Sequence, residues 1–496
     1  MALSLRPFLI ALTALLAALV SGCGSSGDSQ LKVVAIGNPD DPFEKGIRLS
    51  PAGQLVRASL AEGLVAFDEQ GRVIPALADR WIVTDDGLSY IFRLRDGTWR
   101  DGSDLTARTA VRALRSAINK LQRTALGLDL ADVEDIREMA GRVIEIRLSQ
   151  PAPHLLQLLA QPELGLMNGE TTGGPMVLAR EDSTALLNPI PPEQIGLPEA
   201  PKWDERARTI ALSAVSGAEA VRRFNSGEAD LVLAGRISTY PHTASVGILR
   251  GTIQLDPVEG LFGLQVMSTR GFLSEPGNRE ALALTIDRAA LIAPFGVGGW
   301  KATADIVPGS LDTEPGTSAP ERWEDLSLDE RRDVAAARVL AWRQAQEPDS
   351  GGPRLSVSLP EGPGSTMLFS RLKQDFAAIG VVLRRAPKEE RGDLRLLDVV
   401  ARYPRSTWYM NRFNCRVART ACSPDADMAM AAARKSSDPT ERAEKIAEAR
   451  LALTNANMFI PFGSPIRWAL VRGDAVGFSA NTWGWHPLMP MALLPR

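Results

Sequence analysis

Residues 60–121 read LAEGLVAFDEQGRVIPALADRWIVTDDGLSYIFRLRDGTWRDGSDLTARTAVRALRSAINKL, and this stretch decides the fold. Tyr90, Phe92 and Leu94 alternate with Ile91, Arg93 and Arg95, the period of two that predicts a half-buried strand. Asp96-Gly97 and Asp101-Gly102 close the strand as turn-prone pairs. Thr106 then stands as a helix N-cap. Ala107, Ala110, Val111, Leu114, Ala117, Ile118 and Leu121 recur at three- and four-residue spacing, which predicts one buried helical face. No catalytic residue is needed to explain the pattern.

Outward from this stretch, the 496 residues are 45% hydrophobic and 23% charged, with a formal net charge of -3. That is ample apolar material for more than one lobe. With no basic excess and no long run of like charge, a phosphate-tracking groove is not expected, and neither is a nucleic-acid partner. His154, His242 and His486 stand far apart without ligand spacing, so no metal site is expected. Ser370 and Lys373 keep an SxxK spacing, but no Lys-Thr-Gly triplet accompanies them, and neither GxSxG nor HExxH occurs. The reading is a protein that is not an enzyme and carries no cofactor.

The order of short motifs carries a resemblance. Glu62-Gly63-Leu64 is followed by Pro75-Ala76-Leu77-Ala78-Asp79-Arg80-Trp81, by Asp86-Gly87 ahead of the Tyr90 strand, and by Asp101-Gly102 and Leu105-Thr106-Ala107. This series resembles the extracellular solute-binding proteins of the peptide and nickel type. Asp104 departs from the family's usual proline and Thr109 from its usual acid. Phe224 to Val232 (FNSGEADLV) and Leu261 to Leu291 are further family-like blocks. In them Gly227 reads as a helix cap, Asp230 as the start of a buried strand, and Asp287-Arg288 as a charge pair ending a helix.

The resemblance implies an α/β, two-lobed periplasmic-binding-protein (Venus-flytrap) fold with an extra subdomain in the first lobe. Residues 31–75, 200–262 and 471–496 are expected to form that lobe, 76–199 the subdomain and 263–470 the second lobe. It further implies the extracytoplasmic substrate-binding component of an ABC importer, a monomer that captures a peptide-like or other small solute by hinge closure and meets an ABC permease in the inner membrane. The other classes are a lipoprotein sensor or periplasmic chaperone on the same scaffold and a secreted hydrolase, for which Ser370 is the one serine candidate.

The informative departure lies at Val399-Val400-Ala401-Arg402-Tyr403-Pro404. Peptide-binding members of the family carry an aspartate before an aromatic here, and it pairs with the peptide's α-ammonium. Arg402 stands at that place, and a guanidinium offers a planar donor fork suited to carboxylate or phosphate. The expected ligand is therefore anionic or lacks a free amino terminus, with Tyr403, Trp408, Tyr409 and Asn411 supplying stacking and hydrogen bonds. The other readings are a surface position for Arg402, or a family position that falls one or two residues away from it.

At the N-terminus, Arg6 precedes the apolar run Phe8 to Val20, signal-peptide anatomy over residues 1–22 that is too short for a membrane-spanning helix. Val20-Ser21-Gly22-Cys23 resembles a bacterial lipobox, which implies a lipid on Cys23 and a periplasmic or cell-surface protein anchored to a membrane. A plain cleaved signal is the alternative. Residues 23–30 read as a flexible tether. Cys415 and Cys422 are the remaining cysteines. In an exported chain they are expected to form a disulfide, with two buried thiols as the alternative.

Overall fold

The structure is a computed structural model and describes residues 30–247, 252–308, 311, 322–347, 351–418, 422–473 and 475–495. The signal peptide, Cys23 and nearly all of the tether lie outside the described residues.

The first lobe is built on a seven-stranded sheet. Its centre is the strand Gln30–Ile36, parallel to Thr209–Val215 on one side and Leu231–Arg236 on the other, with Val33 opposite both Leu212 and Leu231. Val33, Val34 and Ala35 are consecutive and all buried, as expected of a strand covered on both faces. Arg467–Val471 and Ile253–Leu255 extend the sheet antiparallel beyond Leu231–Arg236. On the far side the hairpin Met176–Glu181 and Thr184–Pro189 joins through Ala185 opposite Leu212. This hairpin falls inside the 76–199 segment expected to be subdomain. It belongs to the first sheet because Ala185 and Leu187 are fully buried in the same apolar cluster as Ile210 and Leu212.

The subdomain is a four-stranded antiparallel sheet of Ala78–Val83, Ser89–Leu94, Val143–Leu148 and Val133–Ala140. Phe92 lies opposite Ile144 and Tyr90 opposite Ile146, so the alternation of the Tyr90 strand becomes one buried row. The helix Ala107–Leu121 packs on it with Ala107, Ala110, Val111, Leu114 and Leu121 inward. Thr106 caps that helix by accepting from the Thr109 N–H at 3.2 Å, and Thr109 Oγ1 accepts from the Thr106 N–H at 3.1 Å. Thr109 thus does the work usually given to a glutamate in a capping box, which explains how the sequence tolerates that departure. Its hydroxyl oxygen also accepts from Trp99 Nε1 at 3.1 Å.

The second lobe has a five-stranded sheet in the order Val382–Arg385, Arg354–Ser358, Leu394–Val400, Gly260–Val266, Phe459–Gly463. The helices Pro276–Thr285, Leu328–Gln344 and Pro363–Ala377 cover it. The chain passes between the two sheets twice, at 256–259 and 464–466. Both crossings lie a few residues before the expected lobe boundaries, because all seven residues of Gly260–Val266 are buried in the second sheet and Arg467–Val471 pairs in the first. The apolar core of the subdomain continues into the second lobe through Tyr403, Trp408, Tyr409 and Phe413.

Three local expectations resolve in detail. Gly227 ends the helix Gly217–Ser226 at φ +82°, a left-handed cap that suits glycine. Asp230 precedes the strand Leu231–Arg236 and accepts from the Lys32 N–H at 2.9 Å. Asp287 and Arg288 do not pair across a helix end. Asp287 instead N-caps Arg288–Ile292 through the Ala290 N–H and meets Arg371 at 3.2 Å. Arg288 turns inward to donate to the Pro461, Ala283 and Ile286 carbonyls.

Candidate functional site

Between the two lobes lies a cavity of about 280 Å³, near the lower end of the usual range for small-molecule sites. The first lobe contributes Leu233, Ala234 and Arg236 from one strand and Trp483 to His486 from the C-terminal segment. The second contributes Val399 to Arg402, Trp408 and Arg412.

Each wall has a local cause. Along Leu231–Arg236 the pairing with Arg467–Val471 shifts between Val232 and Gly235, and Ala234 sits at φ +65°. Such a bulge interrupts the regular alternation and re-aims side chains at the end of a strand. Gly235 allows it, since a Cβ there would meet Trp468 Cδ2 at 2.2 Å. The C-terminal wall is pinned from three sides. Asn481 Nδ2 donates to Trp485 O at 2.7 Å, Trp483 Nε1 donates to Gly71 O at 2.8 Å, and His486 Nε2 lies 3.1 Å from Asp256 Oδ2. On the facing lobe the helix Ser406–Arg412 presents Trp408 and Arg412 to the cavity, four residues apart and so on one helical face.

The expected ligand-binding residues separate into two groups. Arg402 and Trp408 line the cavity. Tyr403, Tyr409 and Asn411 are buried behind its wall, because they face the core shared with the subdomain. Tyr403 stacks on His154 with ring centroids 3.9 Å apart and donates its hydroxyl to Asp129 at 2.8 Å. Asn411 donates to the same Asp129 oxygen at 2.8 Å and accepts from Arg434 at 2.9 Å. These three residues hold the wall and do not face the cavity. Sequence reading passed over Arg236, Arg412 and Arg467, and gave no role to Trp483, Trp485 or His486. The i, i+4 spacing of Trp408 and Arg412 was the one available signal.

Arg402 is not free. Its Nη2 and Nη1 donate to the two carboxylate oxygens of Glu163 at 2.7 and 3.1 Å, and Nη1 also reaches Gln161 at 3.2 Å. Burial alone would push Glu163 up, but the Arg402 guanidinium outweighs it and holds the carboxyl below its ordinary range. Arg467 is paired likewise with Asp398 at 2.6 Å. Arg236 donates to the Asp398 carbonyl at 3.1 Å. Arg412 sits 5.8 Å from the Trp408 ring centroid. Burial and the neighbouring Arg402 pull Arg412 down to about 10. Among the described residues four arginines line the cavity, and no aspartate or glutamate does. Nearby, Cys415 and Cys422 are joined as a disulfide with Cα atoms 5.0 Å apart, and the Cys415 N–H donates to Asp427 at 2.9 Å. Among the described residues no three His, Cys, Asp or Glu side chains converge as a metal site.

Two α/β lobes linked by two short crossings, with a cavity walled by both, define a two-lobed solute-binding protein. Residues 72–432 match the family described as bacterial extracellular solute-binding proteins, family 5 middle. The chain belongs to that family. Its curated relatives include the probable deoxycholate-binding periplasmic protein YgiS of Escherichia coli, 28% identical over 321 residues, 58% of each chain. The E. coli periplasmic murein peptide-binding protein MppA is 24% identical over 317 residues, 56% of each. The matched stretches thus span under two thirds of these relatives. Among solved structures, Haemophilus influenzae OppA in complex with RPPGFSPFR superposes with a TM-score of 0.78 at 17% identity, covering 95% of this chain and 100% of that one. Campylobacter jejuni NikZ in complex with Ni(L-His) gives 0.70 at 16% identity, covering 92% and 96%. These likenesses establish the shared fold.

Proposed function

We propose that this protein is the extracytoplasmic substrate-binding component of an ABC importer, taking a peptide-like or other small solute between its lobes. The observation that carries this is the cavity itself, whose walls come from both lobes and whose linkers are only two short segments. Such a layout couples occupancy to hinge closure, and the closed form is the one an inner-membrane permease would recognise. The relatives' printed ligands, among them deoxycholate and murein peptide, supply the range of solute to test. The family match and the cavity support a binding protein with no catalytic role. A lipid on Cys23 would hold the protein, as a monomer, at a membrane surface in the periplasm or on the cell.

Native mass spectrometry of the exported chain, purified gently and compared with its denatured mass, tests the proposal. A retained small molecule released on denaturation is the expected result. A protein that comes out empty and binds neither deoxycholate nor tri-alanine would overturn it and favour a sensor or chaperone on the same scaffold.

A further inference from the structure

We infer that the cavity selects an anionic solute, whose negative charge is received by Arg412 from the second lobe and Arg236 from the first. This rests on the cavity being the solute site and goes further by assigning the charge of the solute and the groups that read it.

The argument begins with the balance of charge in the wall. Two of the four lining arginines are satisfied by acids set behind the surface, Arg402 by Glu163 and Arg467 by Asp398. The other two are not. Among the described residues no carboxylate forms an ion pair with Arg236 or Arg412; Asp398 and Asp129 act on them only from beyond that distance, and Asp398 already pairs with Arg467 while Asp129 accepts from Tyr403 and Asn411. Arg236 keeps one bond, to a backbone carbonyl, and Arg412 makes no hydrogen bond to any described residue. Drawing a guanidinium out of water without a directly paired counter-charge is unfavourable, and a chain under selection for stability alone would place an acid or a neutral residue there. The missing counter-charge is supplied by what binds.

The chemistry of the two groups narrows the class. A guanidinium presents its donors as a planar fork that engages a carboxylate or phosphate through two parallel bonds. A free ammonium, in contrast, would enter a cavity with four cations and no acid on its walls. Trp408, Trp483, Trp485 and Phe67 line the same space and offer ring faces to the uncharged body of the solute. Because Arg236 and Arg412 come from opposite lobes, an anion reaching both binds the closed arrangement better than the open one. That differential affinity is what drives a closure equilibrium.

The test uses three tri-alanines on the whole exported protein: the zwitterion, N-acetyl-tri-alanine as the anion and tri-alanine amide as the cation. Affinity is read by tryptophan fluorescence in the wild type, Arg412→Gln, Arg412→Lys and Arg236→Gln. The anion should bind best, at least about tenfold tighter than the amide. Arg412→Gln and Arg236→Gln should each lose about tenfold of that preference, with Arg412→Lys in between. The ligand-free thermal midpoint of Arg412→Gln should be unchanged or higher, since it loses no hydrogen bond or ion pair to a described residue and only a long contact with the Trp408 ring. A merely structural arginine would lower it. Equal affinity for anion and amide, or variants that keep the preference, would overturn the inference. If no tri-alanine binds but a solute is retained through purification, its charge decides: an anion supports the inference, and a neutral or cationic solute overturns it while leaving solute capture standing. A protein that binds nothing at all removes both readings.

Discussion

The Tyr403 hydroxyl, on the second lobe, donates to Asp129 Oδ1, on the subdomain, at 2.8 Å. The bond joins residues 274 positions apart inside a shared apolar core. Asp129 Oδ2 has no partner among the described residues, so one buried carboxylate is only half satisfied. Burial pushes Asp129 up to about 6, with the Asn411 and Tyr403 bonds opposing.

The sign of the resulting pH dependence follows directly. An acid whose folded value lies above its unfolded one takes up protons on folding between the two. Its contribution to stability is therefore full below about pH 4 and lost as pH rises through about 6, a change on the order of 3 kcal/mol. Asp129→Asn keeps an acceptor for Tyr403 and Asn411 and removes the charge. It should raise the thermal midpoint at pH 7 and flatten stability between about pH 4 and 6 relative to wild type. Parallel curves for the two proteins in a denaturant titration across pH would refute this.

Arg402→Ala should destabilise the protein by roughly 3–5 kcal/mol, since it strands Glu163, whose side chain is only 7% exposed, without its partner. Arg402→Ala combined with Glu163→Gln should recover part of the loss, because no charge is then left buried and unpaired. Urea unfolding of the two single variants and the double one gives the coupling energy, and additive losses would show that the pair does not act as a unit.

Thr109→Val keeps shape and removes the hydroxyl that accepts from both the Thr106 N–H and Trp99 Nε1. The expected cost is about 1–2 kcal/mol, from the lost cap and a buried indole N–H left without an acceptor. Calorimetry that finds no drop would mean that water replaces both bonds.

Replacing Cys415 and Cys422 together by serine removes the cross-link beside the helix that carries Trp408 and Arg412. The short loop implies a loss of about 2.5 kcal/mol on the chain-entropy account. Reductant should lower the wild-type urea midpoint by a matching amount and leave the variant unmoved.

Local pattern carried most of the fold. The Tyr90 to Leu94 alternation, the Thr106 cap and the Gly227 cap all depend on neighbours within a few residues, so they are legible in one dimension. Lobe boundaries depend on sheet partners far away, which is why the hairpin at 176–189 and the crossing at 464–466 fall elsewhere than expected. The site divides in the same way. The place of Arg402 is legible by resemblance, and it does line the cavity. Its charge is not available, because Glu163, 239 positions earlier, takes it up. Arg236 and Arg412 gain their meaning from having no ion-pair partner among the described residues, and no run of sequence displays an absence in space. Tyr409 and Asn411 share a helix with Trp408 and Arg412, and a helix turns neighbours to opposite sides, while Tyr403, ahead of that helix, is drawn into the core by His154 and Asp129.

The second lobe enters through Gly260–Val266 and leaves through Phe459–Gly463, adjacent strands in which Gln265 lies opposite Phe459. Among the described residues every strand of its sheet falls between 260 and 463, and no strand of the first sheet does. In genetic terms the lobe is a cassette, one uninterrupted stretch of coding sequence whose two junctions are side by side. Recombination at both junctions would exchange the Arg412 half of the cavity between relatives while the Arg236 half stayed in place, so a paired crossover would change the solute preference without either sheet being rewired.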